Sequence, residues 1–173
     1  LNPILVCAPS NIAVDHLTEK IALSGLKVVR VVSSSRQAIK STVDPLCVHV
    51  MVDSLAQRTE KSKFSQLHFA MRDNPASLEL SQRRVYHSLL LELIISILRK
   101  ADVICTTCAN VSSPECSSFT YEHILIDEST QCPEPQLLIP MTRGAQQVYL
   151  MGDHCQLGPV IQSKVASGAG FGI

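Results

Sequence analysis

The chain has 173 residues, 46% of them hydrophobic and only 4% aromatic, with no Trp, so any core must be aliphatic. Lys plus Arg and Asp plus Glu number 15 each, and the resulting zero formal charge excludes a module that grips nucleic acid mainly by bulk positive charge. The seven Cys lack the spacing of a secreted disulfide scaffold and point to a reducing compartment.

Ile4-Leu5-Val6-Cys7-Ala8 reads as a buried strand closed by Pro9. Ser10 or Asn11 can cap the helix that follows, whose Ile12, Val14, Leu17 and Ile21 fall at mostly helical spacing before Gly25. A second strand follows at 28–32, and strand, helix and strand together make a βαβ unit with a parallel sheet. Residues 33–74 are polar and mixed, and 78–99 then read as a helix striped by Leu90, Leu93, Ile94, Ile97 and Leu98. Two descriptions fit this middle region: a helical insertion over 45–100, or one long crossover helix preceded by a loose loop. Strands resume at 103–106, 123–126 and 147–151, with Pro133, Pro135 and Pro140 keeping the last intervening helix short or irregular. Residues 166–173 are small and Gly-rich and read as a frayed end. The division is therefore 1–44, 45–100, 101–165 and 166–173.

The polar residues gather where these strands end. Asp127-Glu128 follows one strand, and Gly152-Asp153-His154-Cys155-Gln156 follows the next. In an open parallel sheet that edge is where ligands bind. One carboxylate suits a hydrated Mg²⁺, the other can orient or deprotonate a water, and the Gln156 amide can sense a terminal phosphate. Each motif alone also reads as an ordinary strand-end turn. Ala8-Pro9-Ser10-Asn11 leads into a helix N-terminus, whose free N–H groups suit an anion such as a nucleic-acid phosphate, or simply a capped helix. Thr106 and Thr107 add hydroxyls at the same edge, or serve only as β-formers.

Two other chemistries fit poorly. Cys105 and Cys108 lie three apart in a strand pattern, so their sulfurs diverge, and no second Cys/His pair completes a zinc set. His154 and Cys155 read as turn residues. Asp127, Glu128 and Ser129 lack the Gly-x-Ser-x-Gly elbow of a serine hydrolase.

Three segments taken together are more specific than any one: 8–15 (Ala-Pro-Ser-Asn-Ile-Ala-Val-Asp), 124–131 (Ile-Leu-Ile-Asp-Glu-Ser-Thr-Gln) and 152–160 (Gly-Asp-His-Cys-Gln-Leu-Gly-Pro-Val). They resemble the superfamily 1 RNA helicases of nonsense-mediated decay, the regulator of nonsense transcripts or up-frameshift type. The resemblance runs from Ile4 to about Lys164 and is loosest between Ser33 and Lys100. It implies an α/β fold of the RecA-like P-loop NTPase class: a parallel sheet flanked by helices, with a helical insertion and without the P-loop strand. It also implies ATP and Mg²⁺ as cofactors, single-stranded RNA as partner and a cytoplasmic location, with shuttling to the nucleus left open. Decay-factor partners would engage regions outside this chain.

By matching position, Asp127 would hold Mg²⁺ through water, Glu128 would activate water, and Gly152, Asp153 and Gln156 would meet the nucleotide. Ser129, Thr130 and Asp153 would couple nucleotide state to RNA grip. Pro9, Ser10, Asn11, Thr106 and Thr107 would lie along the RNA backbone. No Gly-x-x-x-x-Gly-Lys-Ser/Thr loop occurs in the 173 residues. On this reading that loop precedes Leu1, a second motor domain follows Ile173, and an apolar sheet edge is left exposed. Ala169-Gly170-Phe171-Gly172-Ile173 departs from the family continuation. Two alternatives stand beside this reading: an inactive RNA- or partner-binding remnant, and a related superfamily 1 helicase acting on DNA or other RNA.

Overall fold

The computed structural model describes residues 2–59 and 61–170. Five strands, β1 (Ile4–Ala8), β2 (Val28–Arg30), β3 (Val103–Thr107), β4 (His123–Ile126) and β5 (Gln147–Leu150), form one sheet in the order β2-β3-β1-β4-β5. Every pairing is parallel. The apolar strands at 4–8, 103–107 and 123–126 and their crossover helices satisfy the requirement that a parallel sheet be covered on its faces. β2 stops at Arg30, two residues before the expected end, because the chain then leaves the ladder, with only the Val31 N–H still reaching the Cys105 carbonyl. β5 pairs only with β4 among the described residues, and Val148, Tyr149 and Leu150 are exposed.

Alternation along β1 divides the core in two. Val6 and Ala8 face α1 (Asn11–Ala22), whose Val14 packs against them together with Val28, Val103 and Cys105. Leu5 and Cys7 face the larger cluster, which contains Ile104, Ile124, Ile126, Val48, Val52, Ile94 and Leu98. Cys105 and Cys108 thus belong to cores on opposite faces of the sheet.

Three helices occupy the middle region: α2 (Val48–Arg58), α3 (Lys63–Asp73) and α4 (Leu80–Leu98). The expected loose loop does not describe 48–58 or 63–73, which are helical. Cys47 starts α2 without a side-chain cap, whereas Ser62 accepts from the Ser65 N–H at 3.1 Å and opens α3. These helices do not stand apart as a free domain. Val48 and Val52 of α2 and Ile94 and Leu98 of α4 enter the sheet core, while Leu67, Leu78 and Tyr86 form a separate distal cluster. His68 ties the three together. Asp53 can only accept, so His68 Nε2–H donates to its Oδ1 at 2.8 Å, and Nδ1 meets the Tyr86 hydroxyl at 3.2 Å.

The short helices α5 (Pro114–Ser117) and α6 (Glu134–Met141) flank β4, and α6 is eight residues long with Pro135 in its first turn and Pro140 inside its last. Residues 164–168 form a final helix, α7, where a frayed end was expected to begin nearby. The departure at Phe171, Gly172 and Ile173 lies outside the described residues. No helix among the described residues is long and apolar enough to cross a membrane.

Leu98 is fully buried where α4 meets the sheet, whereas Leu80 on the same helix is 75% exposed. Leu98→Ala should cost about 2–5 kcal/mol and Leu80→Ala less than about 0.5 kcal/mol, read from urea unfolding followed by circular dichroism. Burial pushes the thiols of Cys47, Cys105 and Cys116 from an ordinary 9.0 up to about 11. The folded chain keeps these protons after the unfolded chain has released them. This contribution is complete below about pH 9 and is lost as pH rises through about 11. Under anaerobic, reducing conditions the urea midpoint should therefore fall as pH is raised from about 9 to about 11.

Candidate nucleotide and nucleic-acid edge

β1, β3, β4 and β5 end on or lead into polar residues, and parallel pairing puts those ends on one edge of the sheet. β1 opens into Pro9-Ser10-Asn11, β3 ends on Thr106 and Thr107, β4 delivers Asp127 and Glu128, and β5 leads into the loop 152–156. The Asp127 N–H donates to the Cys7 carbonyl at 2.9 Å, which fixes the end of β4 against β1. The Ser129 N–H then donates to the Met151 carbonyl at 2.7 Å, and the Thr130 hydroxyl donates to the Asp153 carbonyl at 3.2 Å. These two bonds make the turn after β4 and the loop after β5 one continuous rim.

Glu128 has φ of +53°, alone among the non-glycine residues described. Left-handed backbone at such a residue costs on the order of 1–3 kcal/mol and persists only where surrounding contacts hold it. The following residues, 129–131, form a 3₁₀ turn, and the Gln131 amide donates to Glu128 Oε2 at 2.7 Å. Asp127 Oδ1 accepts from the Glu128 N–H at 3.0 Å. Each carboxylate thus has one oxygen committed within the chain and one without a partner among the described residues. No cationic side chain pairs with either among the described residues.

The loop after β5 is also internally bonded. Asp153 Oδ1 accepts from the Cys155 N–H at 2.9 Å, and Oδ2 accepts from the Gln156 amide at 3.3 Å. Gln156 is therefore folded back on Asp153. Asp153, His154 and Cys155 hold ligand-type atoms within 4.8 Å of one another, but all three are exposed and the carboxylate is already occupied. A cleft of about 590 Å³ next to the rim is lined by Ser129, Thr130, Glu134, His154 and Gln156. Asp127 and Glu128 do not line it.

On the other half of the edge, Ser10 Oγ accepts from the Ala13 N–H at 3.2 Å and so caps α1. Thr106 is fully buried; its hydroxyl donates to the Val31 carbonyl at 2.8 Å and accepts from Asn110 at 3.0 Å. Thr107 is half-buried and is the member of the pair nearer the open edge. Sequence reading overlooked Arg30, which is completely buried and joins Asn11, Asp15 and the Val31 carbonyl. The available signal was a guanidinium placed within an otherwise apolar strand. It also gave no role of its own to Gln131, which steadies Glu128.

The all-parallel five-stranded sheet with flanking helices is consistent with the RecA-like α/β class. A family model described as AAA domain matches residues 2–85 and 57–164, and the chain belongs to that family. It is 47% identical over 168 residues to the regulator of nonsense transcripts 1 homolog of Arabidopsis thaliana, covering 97% of this chain and 13% of that protein. It is 43% identical to the ATP-dependent helicase NAM7 of Saccharomyces cerevisiae, covering 97% of this chain and 17% of that protein. Against the Dictyostelium discoideum regulator of nonsense transcripts 1 the identity is 47%, over 97% of this chain and 12% of that one. The chain thus spans less than a fifth of the length of these relatives.

A Cβ at Gly152 would lie 2.8 Å from Thr130 Oγ1 and 2.9 Å from the Thr130 backbone nitrogen. Gly152→Ala should force the two halves of the rim apart at a cost of about 1–3 kcal/mol. Faster hydrogen exchange at the Ser129 amide, with little change at Ile104, is the expected signature.

Proposed function

We propose that this chain is part of the first motor domain of an ATP-dependent RNA helicase acting in cytoplasmic nonsense-mediated mRNA decay. The observation that carries the reading is the bonded rim, Ser129 N–H to Met151 and Thr130 to Asp153, which joins the Asp127-Glu128 turn to the Gln156 loop. The names of the relatives, regulator of nonsense transcripts and ATP-dependent helicase, support the same reading.

Asp127 and Glu128 each keep one oxygen without a partner among the described residues, as a hydrated Mg²⁺ and an attacking water require. Asp127 would hold the ion through water, and the ion when bound supplies positive charge at the phosphates of ATP. Glu128, held by Gln131, orients a water and can accept its proton. Gln156 leaves Asp153 to contact the terminal phosphate, with Gly152 allowing the loop to lie close against Thr130. Because Thr130 also holds the Asp153 carbonyl, movement of the Gln156 loop pulls on the turn that carries Glu128. That turn is bonded to β1 through Asp127 and Cys7, and β1 leads directly into Pro9, Ser10 and Asn11. RNA is met there and at Thr107 through its backbone, so binding is largely indifferent to base sequence. Thr106 supports this edge from within.

The second reading is a remnant that binds RNA or a partner protein without hydrolysis. The full transcript separates the two. An in-frame Gly-rich loop upstream supports the enzyme, and a start codon adjoining Leu1 supports the remnant.

The 173-residue chain alone should release no phosphate from Mg-ATP above background, with or without single-stranded RNA. Positioned cationic and N–H donors carry most of the barrier reduction in phosphoryl transfer, and two carboxylates without them repel the triphosphate. RNA-stimulated, magnesium-dependent turnover by the purified chain would refute this expectation.

A further inference from the structure

Arg30 does more than fill a gap in the core. Its side chain is completely excluded from solvent at the end of β2, a strand at the margin of the sheet. Each guanidinium nitrogen donates: Nε–H to Asp15 Oδ1 at 2.9 Å, Nη1–H to the Val31 carbonyl at 2.7 Å and Nη2–H to Asn11 Oδ1 at 2.9 Å. Asp15 also accepts from Arg36 at 3.4 Å and from the Ser41 hydroxyl at 2.9 Å. Replacing one buried partner is costly, yet a buried ion pair as a whole adds little over apolar packing of the same volume. Stability alone is therefore a weak account of a fork that reaches into the loop after β1.

The chemistry of the fork determines how Asn11 is presented. A guanidinium has five donors and no acceptor, so only the amide oxygen of Asn11 can face it. The Asn11 NH₂ group is then turned the other way, and it has no hydrogen-bond partner within the described residues. Ser10 follows the same logic. Its oxygen accepts from the Ala13 N–H, which leaves the hydroxyl hydrogen free on an exposed residue. Internal bonds thus consume acceptor capacity on both side chains and leave donors without partners among the described residues. The first N–H groups of α1 add further donors at the same place. The result is a donor-rich edge that suits phosphate oxygens without any cationic side chain, in keeping with the zero net charge.

We infer that Arg30 is a positioning residue for nucleic-acid binding: it locks the Asn11 amide with its nitrogen outward, so that Asn11 donates to a backbone phosphate. This rests on the RNA reading above. Lysine keeps the charge but not the fork and cannot hold Asn11, Asp15 and Val31 together.

The test is fluorescence anisotropy of the 173-residue chain with a labelled single-stranded oligouridylate, using wild type, Asn11→Ala, Asn11→Asp, Arg30→Lys and the Asn11→Ala/Arg30→Lys double variant. Wild type should bind. Asn11→Asp keeps the acceptor toward Arg30 but loses the outward donor, and should weaken binding at least about fivefold at an unchanged thermal midpoint. Arg30→Lys should weaken binding by a similar factor, and adding Asn11→Ala to it should cost little more, because the donor is already misplaced. Fully additive losses, or wild-type affinity in Arg30→Lys or Asn11→Asp, would overturn the positioning assignment while leaving RNA binding intact. Absence of binding by wild type would instead overturn the RNA reading and this inference with it. Should Arg30→Lys fail to fold, the side-chain amide resonances of Asn11 in the wild-type chain decide. They should shift on RNA addition, and amides that do not move would overturn the assignment.

Discussion

The parallel pairing of β1 with β3 on one side and β4 on the other is the constraint from which the rest follows. A parallel ladder cannot be closed by a tight turn, so each strand needs a crossover segment that covers a face. It also sends every strand end to the same side, which concentrates the unpaired backbone and polar side chains of distant segments along one edge. With β1 at the centre, the loop at 9–11 lies between the hydroxyls of β3 and the carboxylates of β4. Main-chain bonds, such as that from Asp127 to Cys7, tie these neighbouring strand ends together.

Along that edge the side chains are restrained by their own neighbours before any ligand arrives. Glu128 is held by Gln131 in left-handed backbone, Gln156 is folded onto Asp153, Thr106 is spent on Val31, and Asn11 is turned by Arg30. Restraint of this kind cuts the ordering cost of binding, since side chains already in place lose little freedom. It also divides the polar groups. Carboxylate oxygens without partners among the described residues gather at β4, and donors likewise without partners gather at the start of α1. The first set suits metal and water, the second an anionic backbone. Gln156 differs from both because its amide is bonded back onto Asp153 within its own loop.

The helical middle region depends on the same sheet at one end and on itself at the other. Val48, Val52, Ile94 and Leu98 root it in the main core, while His68, Asp53 and Tyr86 organise the distal part with hydrogen bonds among α2, α3 and α4. The polar composition of 33–74 read equally as loop or helix because α2 buries only Val48, Val52 and Ala56 and α3 only Ser65, Leu67 and His68, too few apolar positions to stand out among polar neighbours. Only the presence of α4 and the sheet gives Val48, Val52 and Leu67 something to bury against.

The strand runs, the capped start of α1, the striped helix at 80–98 and the short proline-containing α6 were legible in the sequence, because local propensity and periodicity act within a few residues. So were Asp127, Glu128 and Gln156 as candidates, since each follows an apolar run. The order of strands, the bonded rim, the burial of Thr106 and the Arg30 fork were decided only by tertiary structure. Each joins residues far apart in the chain, as Thr106 does with Val31, and a hydrogen bond across such a distance leaves no period or propensity in the sequence to read.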